Sequence, residues 1–135
     1  MADLKESGIA LLAGPITVNL AAAATTEVTL YTVPVGKRCI LDHIKLVAGA
    51  TASPTAGVSF GQNGAETDFL AEQTCTNLAA QYDCIRCAPI EDDAVTDGIP
   101  VKTKSYAAGT VIVSKIVTQD ADGGTASAYV FGTLY

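Results

Sequence analysis

The 135-residue chain has few of the residues that most often carry out chemistry. It contains no Trp, one His and one Met, and charged residues make up only 16% of it, below the usual quarter. A single histidine, His43, excludes the metal centres that several histidines build in many small β proteins. The absence of Trp and an aromatic content of 6% provide few aromatic rings for a cleft that binds sugars by stacking. No apolar run reaches the roughly 20 residues that span a bilayer.

The charge balance also restricts the partners. Fourteen acidic residues oppose eight basic ones, which gives a formal net charge of −6. An acidic chain is poorly suited to bind phosphate backbones or anionic lipid, so we predict neither direct nucleic-acid binding nor a membrane partner. Apolar residues make up 49% of the chain, enough to exclude general disorder. The length is typical of a single domain.

The N-terminal segment lacks the features of a secretory signal. Acidic Asp3 and Glu6 surround Lys5, and Gly14 and Pro15 end the short apolar stretch of residues 9–13. A signal needs a basic start and a longer apolar region. We interpret residues 1–15 as an extended arm, with a short first strand as the alternative.

Four cysteines stand at positions 39, 75, 84 and 87. In an exported protein they could form two disulfides in three possible pairings; without an export signal, reduced thiols are expected. Cys84 and Cys87 have the spacing of a zinc knuckle, but no second pair accompanies them. In a strand these two side chains would also point to opposite faces. We therefore predict no metal site.

Short β-branched runs, separated by clusters of Gly, Pro, Asn and Asp, predict an all-β fold. This pattern is typical of an antiparallel β-sandwich of about seven or eight strands, here one domain over residues 16–135. Residues 66–78 are ambiguous between a helical turn and a long connection. The candidate strands are residues 16–20, 27–33, 37–47, 57–61, 81–87, 100–104, 110–117 and 126–134.

Three of these strands are apolar on both faces. A sandwich strand in water normally buries one face and exposes the other. The cover could be the N-terminal arm, a long loop or another subunit, and the alternative is a fully internal strand in a monomer. Whole apolar faces favour an oligomer or a docked subunit. By strict alternation the opposed sets are Ile40, Ile44 and Leu46 against Cys39, Leu41 and Val47; Val111, Val113 and Val117 against Ile112 and Ile116; and Ala128, Val130 and Leu134 against Tyr129, Phe131 and Tyr135.

No constellation of catalytic residues is evident. If His43 were the base of a Ser-His-Asp triad, its neighbour Asp42 would face away from it in a regular strand. The acidic group at positions 91, 92, 93 and 97 has the oxygen ligands that calcium prefers, but it lacks the EF-hand spacing and is interpreted as a solvated turn. We predict no catalytic residue, no cofactor and no enzymatic activity.

Two segments carry a resemblance to a known group of proteins. Residues 28–38 read VTLYTVPVGKR and lead into an aliphatic strand that ends at Val47, and the chain ends on YVFGTLY, residues 129–135. In these segments the chain resembles small structural proteins of tailed bacteriophages. That group includes jelly-roll head decoration (cement) proteins and related neck, tail and fibre components. The resemblance covers about residues 27–135, with a nonmatching middle.

The resemblance implies a jelly-roll sandwich and a virion protein that assembles in the host cytoplasm. It implies a homotrimer on the capsid surface that bridges subunits of the major capsid protein. The N-terminal arm would then dock on the capsid through Leu4, Ile9, Leu11 and Leu12, and Tyr129, Phe131 and Tyr135 would form the subunit interface. The alternative is a fibre, neck or tail-tip module that recognises a receptor or carbohydrate through loops at residues 49–57 and 66–80.

Overall fold

The computed structural model describes residues 8–89 and 104–135, and this part of the chain contains no helix. It forms nine strands in two antiparallel sheets, which confirms the predicted all-β sandwich. The strands are β1 (Ala10–Asn19), β2 (Glu27–Thr32), β3 (Cys39–Ala48), β4 (Gly57–Gln62), β5 (Ala65–Thr74), β6 (Cys84–Cys87), β7 (Lys104–Tyr106), β8 (Val111–Thr118) and β9 (Thr125–Leu134).

The strand order is that of a jelly roll. One sheet has the order β1-β9-β3-β6, and β7 pairs with the same edge of β3 as β6. The other sheet has the order β2-β8-β4-β5. Strands β1 to β4 therefore alternate between the two sheets. The last two strands then insert between earlier ones, β8 between β2 and β4 and β9 between β1 and β3. Such interleaving produces the two Greek keys of a jelly roll.

The core lies between the two sheets and is built mainly from β-branched and aliphatic side chains, together with the aromatic rings of Phe60, Phe69 and Tyr106. Burial of such side chains is the main stabilising contribution to a sandwich of this size. The largest fully buried residues are Val18, Leu20, Val33, Cys39, Leu41, Ile44, Leu46, Val58, Phe60, Leu78, Ile112 and Val130.

A β-bulge in β3 overturns the predicted division of its faces. The pairing with β9 shifts register between Leu41 and His43. One extra residue in a strand reverses the alternation beyond it, so Cys39 and Leu41 before the bulge and Ile44 and Leu46 after it all reach the core. The prediction that Cys39 and Leu41 oppose Ile44 and Leu46 is wrong, and β3 does not need a partner to cover these side chains.

In the other two strands, β8 and β9, inward and outward side chains alternate regularly, as the sequence predicted. In β8, Ile112 and Ile116 belong to the core, whereas Val117 is 39% exposed. In β9, Ala128 and Val130 are fully buried, while Tyr129 and Phe131, which alternate with them, are half-buried. The last strand therefore has aromatic side chains on its outer face and smaller side chains on its inner face.

Residues 10–15 of the predicted arm belong to a strand. β1 begins at Ala10, six residues before the predicted strand. It pairs with β9 along its whole length, although the register shifts between Leu11 and Ala13 and again between Ala13 and Ile16. The irregularity next to Pro15 interrupts the alternation that would have signalled a strand in the sequence. Leu4 lies outside the described residues.

The ambiguous middle segment contains strand β5, not a helical turn. Its pairing with β4 has register shifts between Val58 and Phe60 and again between Phe60 and Gln62. These irregularities remove the period of two by which a strand is recognised. The predicted strand at residues 100–104 overlaps β7 only at Lys104; the rest of it and the acidic group at positions 91–97 lie outside the described residues.

Four connections meet at one end of the sandwich: β1–β2, β3–β4, β5–β6 and β8–β9. Backbone hydrogen bonds link them, from Leu20 N to Gly124 O at 3.0 Å and from Ser53 N to Leu78 O at 3.2 Å. The Ser53 hydroxyl accepts from Gly124 N at 2.9 Å. The connections β2–β3, β4–β5 and β7–β8 lie at the opposite end. In the described part of the chain, no helix is long and apolar enough to cross a membrane.

Candidate interaction surface

The outer surface of the five-stranded sheet has an aromatic centre. Tyr129 and Phe131 project from β9, which lies between β1 and β3. In register, Phe131 is opposite Leu11 on one side and His43 on the other, and Tyr129 is opposite Lys45. We call the patch formed by these five side chains the aromatic face.

His43 is buried within the aromatic face although its side chain is polar. Its ring stacks on Phe131 with the centroids 4.6 Å apart and the planes 8° from parallel. Its Nδ1 atom lies 2.5 Å from Oδ2 of Asp42. Its Nε2 atom is buried, and no residue in the described part of the chain forms a hydrogen bond with it. An unpaired buried nitrogen costs about 1–3 kcal/mol, so the ring packing must offset that cost.

The Asp42–His43 contact contradicts the expectation from a regular strand. Alternation places adjacent side chains on opposite faces, and Asp42 was expected to point away. The β-bulge brings both to the outer surface, where Asp42 also lies 3.4 Å from a guanidinium nitrogen of Arg86. Nothing in the sequence marks this bulge. Within residues 8–89 and 104–135, no hydroxyl bonds Nε2.

Two cations lie on the same outer surface, and one of them, Lys45, is next to an aromatic ring. Lys45 Nζ is 5.6 Å from the centre of the Phe131 ring, within the range of a cation–π interaction. Arg86 on β6 is directly opposite Lys45 in the register. The carboxylate of Asp42 pairs with Arg86, and among the described residues no carboxylate forms an ion pair with Lys45.

The edge of the aromatic face next to β1 is apolar and accessible. Ile9 is 60% exposed and Leu11 is 52% exposed. A β-carbon added to Gly14 would lie 2.8 Å from the Tyr129 ring and 2.7 Å from the carbonyl oxygen of Ala128. Glycine at this position therefore allows the Tyr129 ring to approach the backbone of β1 closely.

The structure separates the predicted docking residues into different environments. Ile9 and Leu11 are exposed, whereas Leu12 is half-buried and packs against the core. Leu12 therefore has a structural role that the sequence pattern did not reveal. Leu4 is outside the described part of the chain, so its docking role stays a prediction.

Tyr135 shares the outer surface with Tyr129 and Phe131 but makes its own contacts. Its hydroxyl lies 2.9 Å from the hydroxyl of Ser105 on β7. Hydrogen bonds from the Ser105 and Arg38 side chains lower the pKa of the Tyr135 phenol. Its backbone pairs with Arg38 through bonds of 2.8 and 3.0 Å. These bonds fix the C-terminus to the sheet; whether Tyr135 also contacts a subunit stays a prediction.

The outer surface of the four-stranded sheet has a different character. Glu27 on β2 is opposite Lys115 on β8. A hydrogen bond with Glu66 of β5, followed by desolvation, raises the pKa of Glu27, and the same bond lowers the pKa of Glu66. Catalytic carboxyl pairs of glycosidases stand about 5 Å or more apart. Two carboxyls in direct contact leave no room for a glycosidic bond.

The cysteines are free, and three of them are buried. Burial raises the pKa of the Cys39 and Cys75 thiols to about 11, and it raises the pKa of Cys87 further. Cys84 is exposed, on the face opposite to Cys87, as the strand alternation predicted. Residues 8–89 and 104–135 contain no group of three His, Cys, Asp or Glu side chains that could hold a metal ion.

Comparisons of the chain with protein-family models, with curated proteins and with solved structures found no match.

Proposed function

We propose that the protein is a structural virion protein, a capsid decoration (cement) protein that stabilises the head by bridging subunits of the major capsid protein. The observation that carries the proposal is the exposed apolar edge of the jelly roll, where Ile9 and Leu11 are accessible and Leu11 lies opposite Phe131. Whole apolar patches on a small domain favour a macromolecular partner. The resemblance of residues 28–38 and 129–135 to phage structural proteins favours the capsid as that partner.

The work of such a protein is mechanical. Each copy would bury Ile9 and Leu11 against the capsid, and apolar burial contributes about 25 cal/mol per Å². Because the protein binds only the assembled shell, its binding free energy stabilises the shell by mass action. Copies would associate through Tyr129 and Phe131 into a homotrimer, which multiplies the contacts with the shell. Neither step requires a cofactor or a catalytic residue.

The test measures binding of the purified protein to heads assembled from the major capsid protein that the same phage genome encodes. Leu11→Ser and Ile9→Ser should each weaken binding, because both remove exposed apolar surface at the proposed contact. Val35→Ser is the matched control, since Val35 is 95% exposed in the turn between β2 and β3. Full capsid affinity of the Ile9 and Leu11 variants would contradict docking through this edge, and no affinity of the wild-type protein would reject the function.

The alternative is a fibre, neck or tail-tip module that binds a receptor or carbohydrate. Tyr82 supports it, because this residue is 77% exposed at the end of the sandwich where four connections meet. Its φ of 72° is in the left-handed region, which a bulky side chain seldom adopts outside functional or strained sites. Glycan-array binding that Tyr82→Ala abolishes, together with no affinity for capsids, would favour this function over decoration.

A further inference from the structure

The edges of the two sheets differ in charge. An edge strand offers unpaired backbone groups to other chains, and charged side chains are one of the devices that prevent such pairing. Three of the four edges carry charges, and the edge formed by β6 and β7 consists of strands of only four and three residues. β1 differs, because none of its ten residues is charged. The charged residues of the other edges are Glu27 on β2; Glu66, Asp68 and Glu72 on β5; Arg86 on β6; and Lys104 on β7.

The first half of β1 is the accessible part of this uncharged edge. Among the described residues, β1 pairs only with β9, and Ile9, Ala10 and Leu11 are exposed. Pro15 has no N–H to donate to a further strand, so it bounds the accessible part at its C-terminal end. We call residues 9–13 the open edge. Natural proteins usually protect or cover an edge that combines exposed aliphatic side chains with no charge.

The backbone of Leu11 points to the open side of β1. Alternate residues of an antiparallel strand bond to its two neighbours. Gly49 N, directly after β3, donates to Thr125 O of β9 at 2.9 Å, so the odd-numbered residues of β9 bond toward β3. The register shifts add residues to β1 and β3 and none to β9. Phe131, opposite Leu11, therefore bonds toward β3, and the N–H and C=O of Leu11 point away from β9.

These groups fit one kind of occupant. A strand that adds to a sheet edge supplies backbone donors and acceptors, and its alternate side chains contact those of the edge. A flat protein surface would cover the side chain of Leu11 but would leave its backbone groups without partners. Because burial of an unpaired charge is costly, the uncharged open edge favours a segment that is itself uncharged.

We propose that an extended, uncharged segment of the major capsid protein adds to β1 as a further strand and pairs with the backbone of Leu11. The inference rests on the proposed function, because it takes the capsid as the partner. It deepens that function by assigning the contact to backbone pairing in addition to apolar burial. Ile9→Ser and Leu11→Ser change side chains only, so a different experiment must test the backbone.

The experiment blocks one backbone group and keeps every side chain. N-methylation of Leu11 replaces its N–H by a methyl group, which removes a donor and fills the space that an added strand would take. The full-length protein is assembled by ligating synthetic residues 1–38 to expressed residues 39–135 at Cys39. N-methylation of Val35, in the exposed turn between β2 and β3, is the matched control in the same synthetic segment. Unmodified protein made by the same ligation is the reference.

The protein methylated at Leu11 should bind heads roughly tenfold or more weakly than the reference, because an added strand loses a backbone hydrogen bond and meets a methyl group. Its melting temperature should equal that of the reference, because β9 does not use this N–H. The protein methylated at Val35 should match the reference in both measurements. A lower melting temperature for the Leu11 protein alone would overturn the orientation on which the inference depends.

Hydrogen–deuterium exchange of the unmodified protein tests the same pairing without a variant. The Leu11 amide should exchange rapidly in the free protein and slowly on heads. Rapid exchange on heads would overturn the inference. Slow exchange in the free protein would also overturn it, because another part of the chain or a second copy would then already occupy the open edge.

The binding results separate this inference from the proposed function. If methylation of Leu11 leaves the affinity for heads unchanged, strand addition is rejected and capsid docking through side chains stands. If the unmodified protein has no affinity for heads, the proposed function is rejected, and the inference is rejected with it.

Discussion

His43 combines a ring that packs well with a nitrogen that has no hydrogen-bond partner among residues 8–89 and 104–135. The stack on Phe131 and the hydrogen bond to Asp42 hold the His43 ring in position. The buried Nε2 atom, in contrast, lowers the free energy of unfolding. These two contributions can be separated because one belongs to the shape of the ring and the other to its polarity.

We expect His43→Phe to stay within about 1 kcal/mol of wild type in the free energy of unfolding, because it keeps the stack and removes the unpaired nitrogen. His43→Ala should lose about 2–3 kcal/mol, since it leaves the Phe131 ring without its neighbour. Chemical denaturation of both variants measures the difference. Equal losses would show that the polar contact with Asp42, not the ring, stabilises this position.

The buried thiols make stability sensitive to alkaline pH. Cys39 and Cys75 have a pKa near 11 in the folded protein against a reference value of 9.0. A group whose pKa is raised by folding contributes fully below its unfolded pKa, and its contribution is lost as the pH rises through the folded value. These two cysteines should therefore lower stability from about pH 9 upward.

The double variant Cys39→Ala and Cys75→Ala should lose less stability than wild type between about pH 8 and pH 10.5, because it has two fewer thiols to ionise in the unfolded chain. Melting temperatures at both pH values measure this. Cys84→Ala is the control, since Cys84 is exposed. A pH dependence identical to wild type in the double variant would contradict the assignment.

At the scale of the elements, a hydrogen bond joins the two sheets at the end of β7. The buried hydroxyl of Tyr106 on β7 donates to Oδ1 of Asp68 on β5 at 2.8 Å. The same carboxylate accepts from the backbone and side chain of Gln62 at 3.2 and 2.9 Å. Burial, followed by the bond to Asp68, raises the pKa of Tyr106 strongly, so the donor remains protonated.

Tyr106→Phe should cost about 1–2 kcal/mol, because Asp68 keeps its other donors. Asp68→Ala should cost about 2–4 kcal/mol, because it leaves the buried Tyr106 hydroxyl and the Gln62 groups without an acceptor. A double-mutant cycle measures the coupling. Additive effects of the two substitutions would show that the bond contributes nothing to the contact between the sheets.

The β-bulge of β3 brings β3 and β9 close together at Gly132. A β-carbon there would lie 2.5 Å from the carbonyl oxygen of Ile40 and 3.1 Å from Leu12. The backbone oxygen cannot move without disturbing the sheet, so the bulge requires glycine on the facing strand.

Gly132→Ala should lower the free energy of unfolding by about 1–3 kcal/mol, the usual cost of forcing an atom into a filled space. Ser127→Ala, on the half-buried outer face of the same strand, should change it by less than about 0.5 kcal/mol. Urea denaturation of both proteins compares them. A tolerated Gly132→Ala would mean that β3 and β9 can separate at this point.

On the scale of the whole molecule, the N-terminal segment belongs to the domain as well as to its surface. β1 forms one edge of the five-stranded sheet, and Leu12 and Ile16 pack against the core. Docking on a partner and folding of the domain therefore both depend on β1, and a large truncation of this strand affects both.

Removal of residues 2–14 should lower the melting temperature, because it deletes half of β1 and the Leu12 contact with the core. Leu11→Ser should leave the melting temperature unchanged within the error of the measurement, since Leu11 is exposed. Differential scanning calorimetry tests both. An unaltered melting temperature in the truncated protein would mean that residues 10–14 contribute nothing to the fold, as expected of an arm.

The sequence by itself determined the class of fold, most of the strands, the outward position of Tyr129 and Phe131, and the opposite faces of Cys84 and Cys87. These follow from the period of two along a strand and from turn residues, both of which are local. Tertiary structure alone decided the bulge at Asp42 and His43, the early start of β1 and the strand in residues 65–74. Each depends on register against a neighbouring strand that is distant in sequence, and a local pattern carries no information about that register.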